Sequence, residues 1–417
     1  MNIKRDLYLK RLIERRQNGS IKVVTGVRRC GKSYLLFRLY KEYLLESGVE
    51  KSCIIEIALD DEDFEELRDK KKLREYIKNR TENQDRFFYI FLDEIQFCDG
   101  FESVLNGLLR NENLDIYVTG SNSRFLSSDI LTEFRGRGDE IQVRPLSFSE
   151  FFSSYKGEKA EAFREYLTYG GLPRILYCKN DEQKAKYLFD LFKNVYLKDV
   201  VERNHLKGDN VMENLVDILA SAVGSLTNAT KLANTFVSKG IKTNDKTVTS
   251  YIGYLEDSFL IDKVSRYDVK GKKYINSSKK YYFTDVGLRN ARLNFRQQEP
   301  SHLMENILFN ELLYRGYNVD VGVVEKHVKN ADGSQKKVQL EVDFICNFAS
   351  NRYYIQSVYS IPDSEKMRQE TSSLDRIDDS FKKIIVTNDN VKAYHTDKGY
   401  MIINIIDFLL DEKSLER

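Results

Sequence analysis

The sequence has few of the residues that build disulfides or zinc sites. Its five cysteines are scattered without a CxxC pair, and its four histidines are equally dispersed. An odd number of isolated cysteines in a chain of 417 residues argues against a disulfide framework. The histidine and cysteine positions do not have the spacing of zinc ligands either. We therefore expect these residues to serve packing or the surface.

Long apolar runs and a large net charge are also missing. No segment approaches the roughly 18 apolar residues that a membrane span needs, and the charged residues 1–20 are not a secretory signal. The 66 Lys and Arg against 64 Asp and Glu leave a formal charge of +2, too small to attract nucleic acid or membrane globally. With 41% hydrophobic and 31% charged residues, the composition is that of a globular protein. We expect a cytoplasmic protein with no membrane partner.

What the sequence does contain is a complete phosphate-binding motif. Residues 21–33 read IKVVTGVRRCGKS, a β-rich run followed by GxxxxGKS, and residues 34–48 continue with apolar positions at helical spacing. In such a strand–loop–helix unit the backbone N–H groups of the loop surround a phosphate, and the glycines allow the backbone angles this requires. Lys32 would reach the β- and γ-phosphates of ATP, and the Ser33 hydroxyl would bind Mg²⁺. The predicted nucleotide-binding residues are Gly26, Val27, Arg28, Arg29, Cys30, Gly31, Lys32, Ser33 and Tyr34.

An acidic pair at the end of an apolar run is a second, independent signal. Residues 87–94, FFYIFLDE, are long enough for a buried parallel strand. Because ligands bind at the carboxyl edge of such sheets, Asp93 and Glu94 should face the phosphate loop. Asp93 is predicted to hold Mg²⁺ together with Ser33, and Glu94 to polarise the attacking water. Taken alone, two acids after a core strand would be an ordinary charged turn.

Further β-like runs at residues 53–59, 115–121 and 140–146 alternate with helical segments, which predicts an α/β domain with a parallel, doubly wound sheet. This part resembles the AAA-type branch of P-loop ATPases, in which a polar residue after the fourth strand senses the γ-phosphate. By that likeness Ser121 is the sensor candidate and Asn122 the alternative.

Two arginines in the segment FRGRGDE are further candidates. A guanidinium on this turn could neutralise γ-phosphate charge. We favour Arg137 for this role and interpret Arg135 as a solvated surface residue. The catalytic candidates are therefore Glu94, Lys32, Ser121 and Arg137.

The chain after residue 148 is predicted to form two further domains, at residues 149–285 and 286–417. Between residues 212 and 262, three helix-like segments joined by short polar turns are typical of a winged helix-turn-helix. Residues 231–280 contain 11 Lys and Arg against 5 acids, a local excess that could meet the phosphates of DNA. Winged helices also serve as protein-docking modules, so both interpretations stay open.

The last predicted domain has the order of a restriction-endonuclease-like fold. Such nucleases place an acid on a helix, Asp on one strand and E-x-K on the next, to hold Mg²⁺ and to orient water. Glu305 and Asp343 match the first two positions, but E-x-K is replaced by Gln356, Ser357 and Val358. Because the second carboxylate and the lysine are missing, we expect a nuclease-like fold that does not cleave DNA.

Taken together, GVRRCGKS, FLDEIQ, TGSNS, GRGDEIQVRPLSFSEFF, YGGLPRIL, YYFTDVGL and EVDF resemble, in this order, a large prokaryotic family of ATP-binding proteins. The resemblance covers nearly the full chain and implies an AAA-type domain followed by a carboxy-terminal domain of unknown function. Cys30 departs from the smaller residue more usual at its position, which leaves the loop motif intact.

The sequence therefore favours an ATPase that uses ATP and Mg²⁺, in which nucleotide occupancy drives a conformational switch and hydrolysis resets it. The alternative is a nucleotide-dependent DNA-binding regulator or adaptor with negligible turnover. Partners left open are DNA through residues 231–280, a protein client, and further copies of the chain.

Overall fold

The protein divides into two compact units. The computed structural model describes residues 3–83, 85–121, 134, 136–206, 210–329 and 335–416. The first unit comprises Met1–Leu146 with Asp257–Phe259, and the second comprises Ser147–Glu256 with Leu260–Arg417. Among the described residues, no helix is both long enough and apolar enough to cross a membrane.

The first unit contains a parallel sheet of five strands, which confirms the predicted α/β class. The strands are β1 (Ile21–Thr25), β2 (Ile54–Ala58), β3 (Phe88–Asp93), β4 (Leu114–Thr119) and β5 (Gly138–Gln142). They lie in the order β2-β3-β4-β1-β5, and every neighbouring pair is parallel. Every residue of β1 and of β3 is buried, as expected for strands enclosed on both faces.

Helices precede the first strand and follow the next ones. They are α1 (Asp6–Glu14), α2 (Lys32–Tyr34), α3 (Lys41–Glu46), α4 (Lys70–Arg80) and α5 (Phe101–Leu108), with short 3₁₀ helices at Lys51–Cys53, Glu62–Arg68 and Ile95–Phe97. A π-helical segment, Leu35–Tyr40, joins α2 to α3. Phe88, Ile90 and Leu92 alternate along β3 into one core cluster. On the other face of β3, Phe91 packs edge-on against Tyr117, with ring centroids 5.4 Å apart.

The parallel register gathers the ends of three strands at one edge of the sheet. Val24 of β1 pairs with Thr119 of β4, and Leu92 of β3 pairs with Val118 of β4. Since parallel strands end on the same side, the loops that follow β1, β3 and β4 leave the sheet side by side. The residues predicted to bind nucleotide and metal lie on these loops or on the elements directly next to them.

The second unit begins with helices. The remaining α-helices among the described residues are α6 (Phe148–Ser154), α7 (Lys159–Tyr169), α8 (Asp181–Leu191), α9 (Lys198–Arg203), α10 (Asn210–Ser221), α11 (Ala229–Ser238), α12 (Asp245–Asp257), α13 (Val286–Arg292), α14 (Pro300–Tyr314), α15 (Ser364–Thr371) and α16 (Ile405–Leu410). The three helices predicted between residues 212 and 262 are present as α10, α11 and α12. Their assignment to a winged helix stays a prediction.

A mixed sheet of eight strands completes the second unit. Its strands are β6 (Ile261–Asp268), β7 (Lys273–Phe283), β8 (Asn318–Lys329), β9 (Gln335–Phe348), β10 (Asn351–Val358), β11 (Lys382–Thr387), β12 (Tyr394–His395) and β13 (Met401–Asn404), in the order β12-β13-β11-β10-β9-β8-β6-β7. Strand β6 pairs with β8. Strands before and after the predicted domain boundary at residue 285 therefore belong to the same sheet. The three-domain division predicted with a boundary there stays a prediction.

Asp285 joins two glycine-containing segments of the second unit. Its buried carboxylate accepts hydrogen bonds from the backbone N–H of Gly171 at 2.7 Å and of Leu288 at 3.0 Å. A Cβ on Gly170, whose φ is 74°, would overlap this carboxylate. Burial raises the pKa of Asp285 to about 6, although backbone N–H donors, first among them Gly171, oppose the shift. The segments YGGLP and TDVGL are therefore a structural junction.

Candidate nucleotide site

The loop after β1 has the backbone shape of an anion-binding nest. Gly26, Arg29 and Gly31 have positive φ angles of 136°, 65° and 103°, and left-handed residues curve a loop so that its N–H groups converge. A Cβ on Gly26 would overlap the carbonyl oxygen of Val143. Only glycine therefore fits at the first position of the motif.

Lys32, the first residue of α2, folds back over this loop. Its ammonium donates hydrogen bonds to the carbonyl oxygens of Gly26 at 2.9 Å and Val27 at 3.3 Å. Only 4% of the residue is exposed. The structure thus places a cation against the loop, and the role of Lys32 in binding phosphate stays a prediction.

Contacts from outside the motif fix the loop. The Cys30 thiol donates to the carbonyl oxygen of Val143 at 3.3 Å, so this buried side chain packs against the segment after β5. Arg5, which sequence reasoning did not identify, donates to the carbonyl oxygens of Cys30 at 3.1 Å and Arg144 at 2.6 Å. A basic residue 25 positions before its partner has no sequence pattern that would have revealed it.

The end of β3 contacts both neighbouring loops. The Thr119 hydroxyl donates to Asp93 Oδ1, and the backbone N–H of Glu94 donates to the same hydroxyl at 2.9 Å. Burial raises the pKa of Asp93 above its usual value, and hydrogen bonds with Ser33 and Thr119 offset part of this shift. The bond between Ser33 and Asp93 joins the phosphate motif to the acidic pair.

Ser33 and Asp93 offer the oxygen ligands that Mg²⁺ prefers. Because Mg²⁺ keeps several waters and takes further oxygens from substrate phosphates, one or two protein ligands suffice. In the part of the chain that the structure describes, no group of three or more His, Cys, Asp or Glu side chains is placed to hold a metal ion.

The Glu94 carboxylate lies in a polar network. Its Oε2 accepts hydrogen bonds from Gln96 Nε2 and, at 3.3 Å, from Ser121 Oγ. Arg28 Nε in turn donates to Ser121 Oγ at 3.3 Å. Glu94 has a left-handed backbone with φ 48° and ψ 53°, a conformation that costs a residue with a Cβ roughly 1–2 kcal/mol. The structure thus brings Arg28, Glu94 and Ser121 together.

Arg137 lies at the other edge of the sheet. It directly precedes β5, is exposed, and its carbonyl oxygen accepts the backbone N–H of Ile21, the first residue of β1, at 2.8 Å. The phosphate loop follows the last residue of this five-residue strand, so at about 3.3 Å per residue the two edges are roughly 15 Å apart. Within one chain Arg137 is not beside the loop, and its role stays a prediction that would need a second copy. Asn122 and Arg135 lie outside the described residues.

The predicted nuclease-like positions form a charged cluster in the second unit. Asp343 Oδ2 accepts the backbone N–H of Ser357 at 2.8 Å. The Lys280 ammonium of β7 lies 2.9 Å from Glu305 Oε1 and 2.5 Å from Glu341 Oε1. Burial alone would lower the pKa of Lys280, but the carboxylates of Glu305, Asp343 and Glu341 outweigh burial and raise it.

A lysine from outside the predicted motif, Lys280, thus lies among these carboxylates. Sequence reasoning missed it because β7 precedes the predicted nuclease-like domain and is separated from β9 in the sheet by β6 and β8. Since the Lys280 ammonium already lies against Glu305 and Glu341 and offsets part of their charge, the cluster does not fit a divalent cation well. The absence of DNA cleavage stays a prediction.

Two family models match the chain. Residues 18–152 match one described as an AAA domain, which confirms the AAA-type resemblance of the first part. Residues 160–299 match one described as a domain of unknown function (DUF8612). The winged-helix and endonuclease-like parts of the resemblance stay predictions.

Relatives and solved structures extend this comparison. An uncharacterized protein of Haemophilus influenzae is 32% identical over 413 residues, which cover 98% of each chain. An uncharacterized protein of Methanocaldococcus jannaschii is 29% identical over 97% of this chain and 88% of its own. The solved structure of a Walker-type ATPase of Pyrococcus abyssi is also similar. The match covers 70% of this chain and 96% of the Pyrococcus chain, with 16% sequence identity and a TM-score of 0.47. At 32% identity over nearly the whole of both chains, and with an AAA domain in its first part, the chain belongs to the same family of AAA-type P-loop proteins as the uncharacterized Haemophilus protein.

Proposed function

We propose that this protein binds ATP with Mg²⁺ and hydrolyses it to ADP and phosphate. One contact carries the proposal: the hydrogen bond between Ser33 and Asp93, which joins the phosphate loop to the acidic end of β3. Lys32 and Glu94 lie directly beside these two residues in the chain. Phosphate binding, metal binding and water activation are the functions that phosphoryl transfer requires together.

The residues would act as follows. Lys32 and the loop N–H groups bind the β- and γ-phosphates, and Mg²⁺ held by Ser33 and Asp93 would neutralise phosphate charge. A water oxygen forms a bond to the γ-phosphorus while the bond from that phosphorus to the β–γ bridging oxygen breaks. ADP leaves with the electron pair of the broken bond. The water proton passes to the Glu94 carboxylate and then to solvent.

Ser121 is suited to sense the γ-phosphate. Its hydroxyl contacts both Arg28 and Glu94, so a phosphate that draws Arg28 toward itself changes the hydrogen bonding of Glu94. We further propose that nucleotide occupancy drives a conformational switch in the rest of the chain, and that hydrolysis resets it.

Calorimetry with ATP and Mg²⁺ tests the proposed binding. The wild type should bind, and Lys32→Ala should weaken binding about 10- to 100-fold, because a charge-assisted contact is worth roughly 1.5–3 kcal/mol. Lys10→Ala is the matched control, since Lys10 is exposed on α1 and contacts only Glu14 at 3.8 Å among the described residues. A wild type that takes up no nucleotide, or a Lys32→Ala protein that binds as tightly, would refute the proposal.

A nucleotide-dependent DNA-binding regulator is the second candidate, favoured by one surface of the second unit. Lys231 on α11, Lys239 and Lys242 in the turn, and Lys246 on α12 are all exposed. Among the described residues none of the four has an ion-pair partner. Unpaired lysines on two successive helices are suited to phosphate contacts.

Fluorescence anisotropy with a short DNA duplex tests this surface. Lys239→Glu/Lys242→Glu should weaken binding and should reduce the slope of log K against log salt by about 2, one for each lost phosphate contact. Lys10→Glu/Lys51→Glu, on the first unit, makes the same change in net charge and serves as the control. An unchanged slope would show that these lysines do not contact phosphate.

A further inference from the structure

We infer that Gln96 positions the attacking water together with Glu94. In this role its amide nitrogen holds the Glu94 carboxylate, and its amide oxygen accepts a hydrogen bond from the water. This role rests on the proposed hydrolysis of ATP and adds a residue to the site. The motifs of the sequence assign no task to Gln96, although it lies within the segment FLDEIQ.

The amide of Gln96 has a defined orientation. Gln96 Nε2 donates to Glu94 Oε2, and only the nitrogen end of an amide can donate to a carboxylate. The oxygen end must therefore point away from Glu94 Oε2. The amide cannot reverse without placing two acceptors in contact.

Gln96 Oε1 is buried and has no hydrogen-bond partner. Buried acceptors in folded proteins are nearly always satisfied, because an unpaired one loses its bonds to water without replacement. Both donors to Glu94, from Gln96 and Ser121, contact its Oε2, which leaves Glu94 Oε1 without a donor in the described part of the chain. Gln96 Oε1 and Glu94 Oε1, on two side chains that are hydrogen-bonded to each other, are thus both available to accept hydrogen bonds from a ligand with two donors.

Water is such a ligand. When its two hydrogens are donated to Gln96 Oε1 and Glu94 Oε1, its oxygen lone pair can face a phosphorus atom. Water positioning by a glutamine is an established way to accelerate phosphoryl transfer. A carboxylate beside it can also accept the proton that the water loses.

The backbone that carries Gln96 is well fixed. It belongs to the 3₁₀ turn Ile95–Phe97, in which the N–H of Phe97 donates to Glu94 O at 3.1 Å and the N–H of Cys98 donates to Ile95 O at 3.0 Å. Ile95 is fully buried in the core cluster. A short, anchored turn is suited to hold two side chains in a constant relation.

Steady-state ATP turnover by the full-length protein tests this role. Gln96→Met keeps the length of the side chain but removes both the donor and the acceptor. We expect its kcat to fall about 10- to 100-fold, the effect of losing one strong positioning hydrogen bond. The KM for ATP and the calorimetric affinity for ATP should not change. Gln96→Glu, which keeps an acceptor but repels Glu94, should also lower kcat. It replaces Gln96→Met in the experiment if the methionine variant folds poorly.

A double variant separates water positioning from a merely structural role. If Gln96 and Glu94 act on the same water, Glu94→Gln/Gln96→Met should be about as slow as Glu94→Gln alone in single-turnover measurements. Multiplicative effects, or a Gln96→Met protein with wild-type kcat or only a raised KM, would overturn the inference while Glu94 keeps its role. A wild type without any turnover would instead refute the proposed function itself.

Discussion

Glu94→Gln should lower the rate of ATP hydrolysis about 10²- to 10⁴-fold, the usual contribution of a positioned general base. The substitution keeps the size of the side chain and one acceptor oxygen, but it turns the other oxygen into an NH₂ donor and removes the charge that accepts the water proton. ATP affinity should stay within a few-fold of wild type, because Lys32 and Ser33 are untouched. Phosphate release under saturating ATP and Mg²⁺ measures the rate, and calorimetry measures the affinity.

Glu112→Gln is the matched control for this experiment. Glu112 is exposed and lies in the turn before β4, at the edge of the sheet opposite the phosphate loop. It should hydrolyse ATP like the wild type. Full turnover by Glu94→Gln would show that another group activates the water, even if nucleotide binding stands.

Lys280→Met should destabilise the protein by about 3–5 kcal/mol, the usual effect of removing one partner from a buried charge pair. Lys280 is only 3% exposed, and without its ammonium the carboxylates of Glu305 and Glu341 would be left close together and uncompensated. Urea denaturation of the full-length protein measures the change in the free energy of unfolding. Lys279→Met is the neighbouring control, because Lys279 contacts the Ser265 hydroxyl at 3.0 Å rather than a carboxylate. Equal stability of both variants would contradict the prediction.

The pH dependence of the same variant has a definite sign. Because the raised pKa belongs to Lys280, the stability advantage of the wild type over Lys280→Met should shrink as pH rises above the usual lysine value. In the wild type the raised pKa of Lys280 means that its contribution is complete below the usual value of 10.5 and is lost only at higher pH.

The sequence predicts those parts of the site that are local. The loop between Gly26 and Ser33 is a continuous motif, and Asp93 and Glu94 end a continuous apolar run. Each pattern lies at the carboxyl end of its own strand. In a parallel sheet these ends lie at the same edge, so the fold class alone places the phosphate loop near the acidic pair.

Contacts that depend on register between strands were not predictable. Thr119 donates to Asp93 because β3 and β4 end at the same level, and Lys280 of β7 lies beside Glu341 of β9 although β6 and β8 separate these strands in the sheet. A single sequence has no signal for such pairings. The position of Arg137, by contrast, follows from direction alone, since a residue before a parallel strand lies at its amino edge.

The left-handed backbone of Glu94 has a consequence for how the site tolerates change. Glycine would relax this position, and replacing a strained residue by one that suits its φ and ψ commonly adds stability. The same exchange would remove the carboxylate that the proposed reaction needs. Selection for stability alone would thus favour glycine here and an inactive site. The fold instead keeps a strained backbone at the residue where the reaction is expected to need a carboxylate.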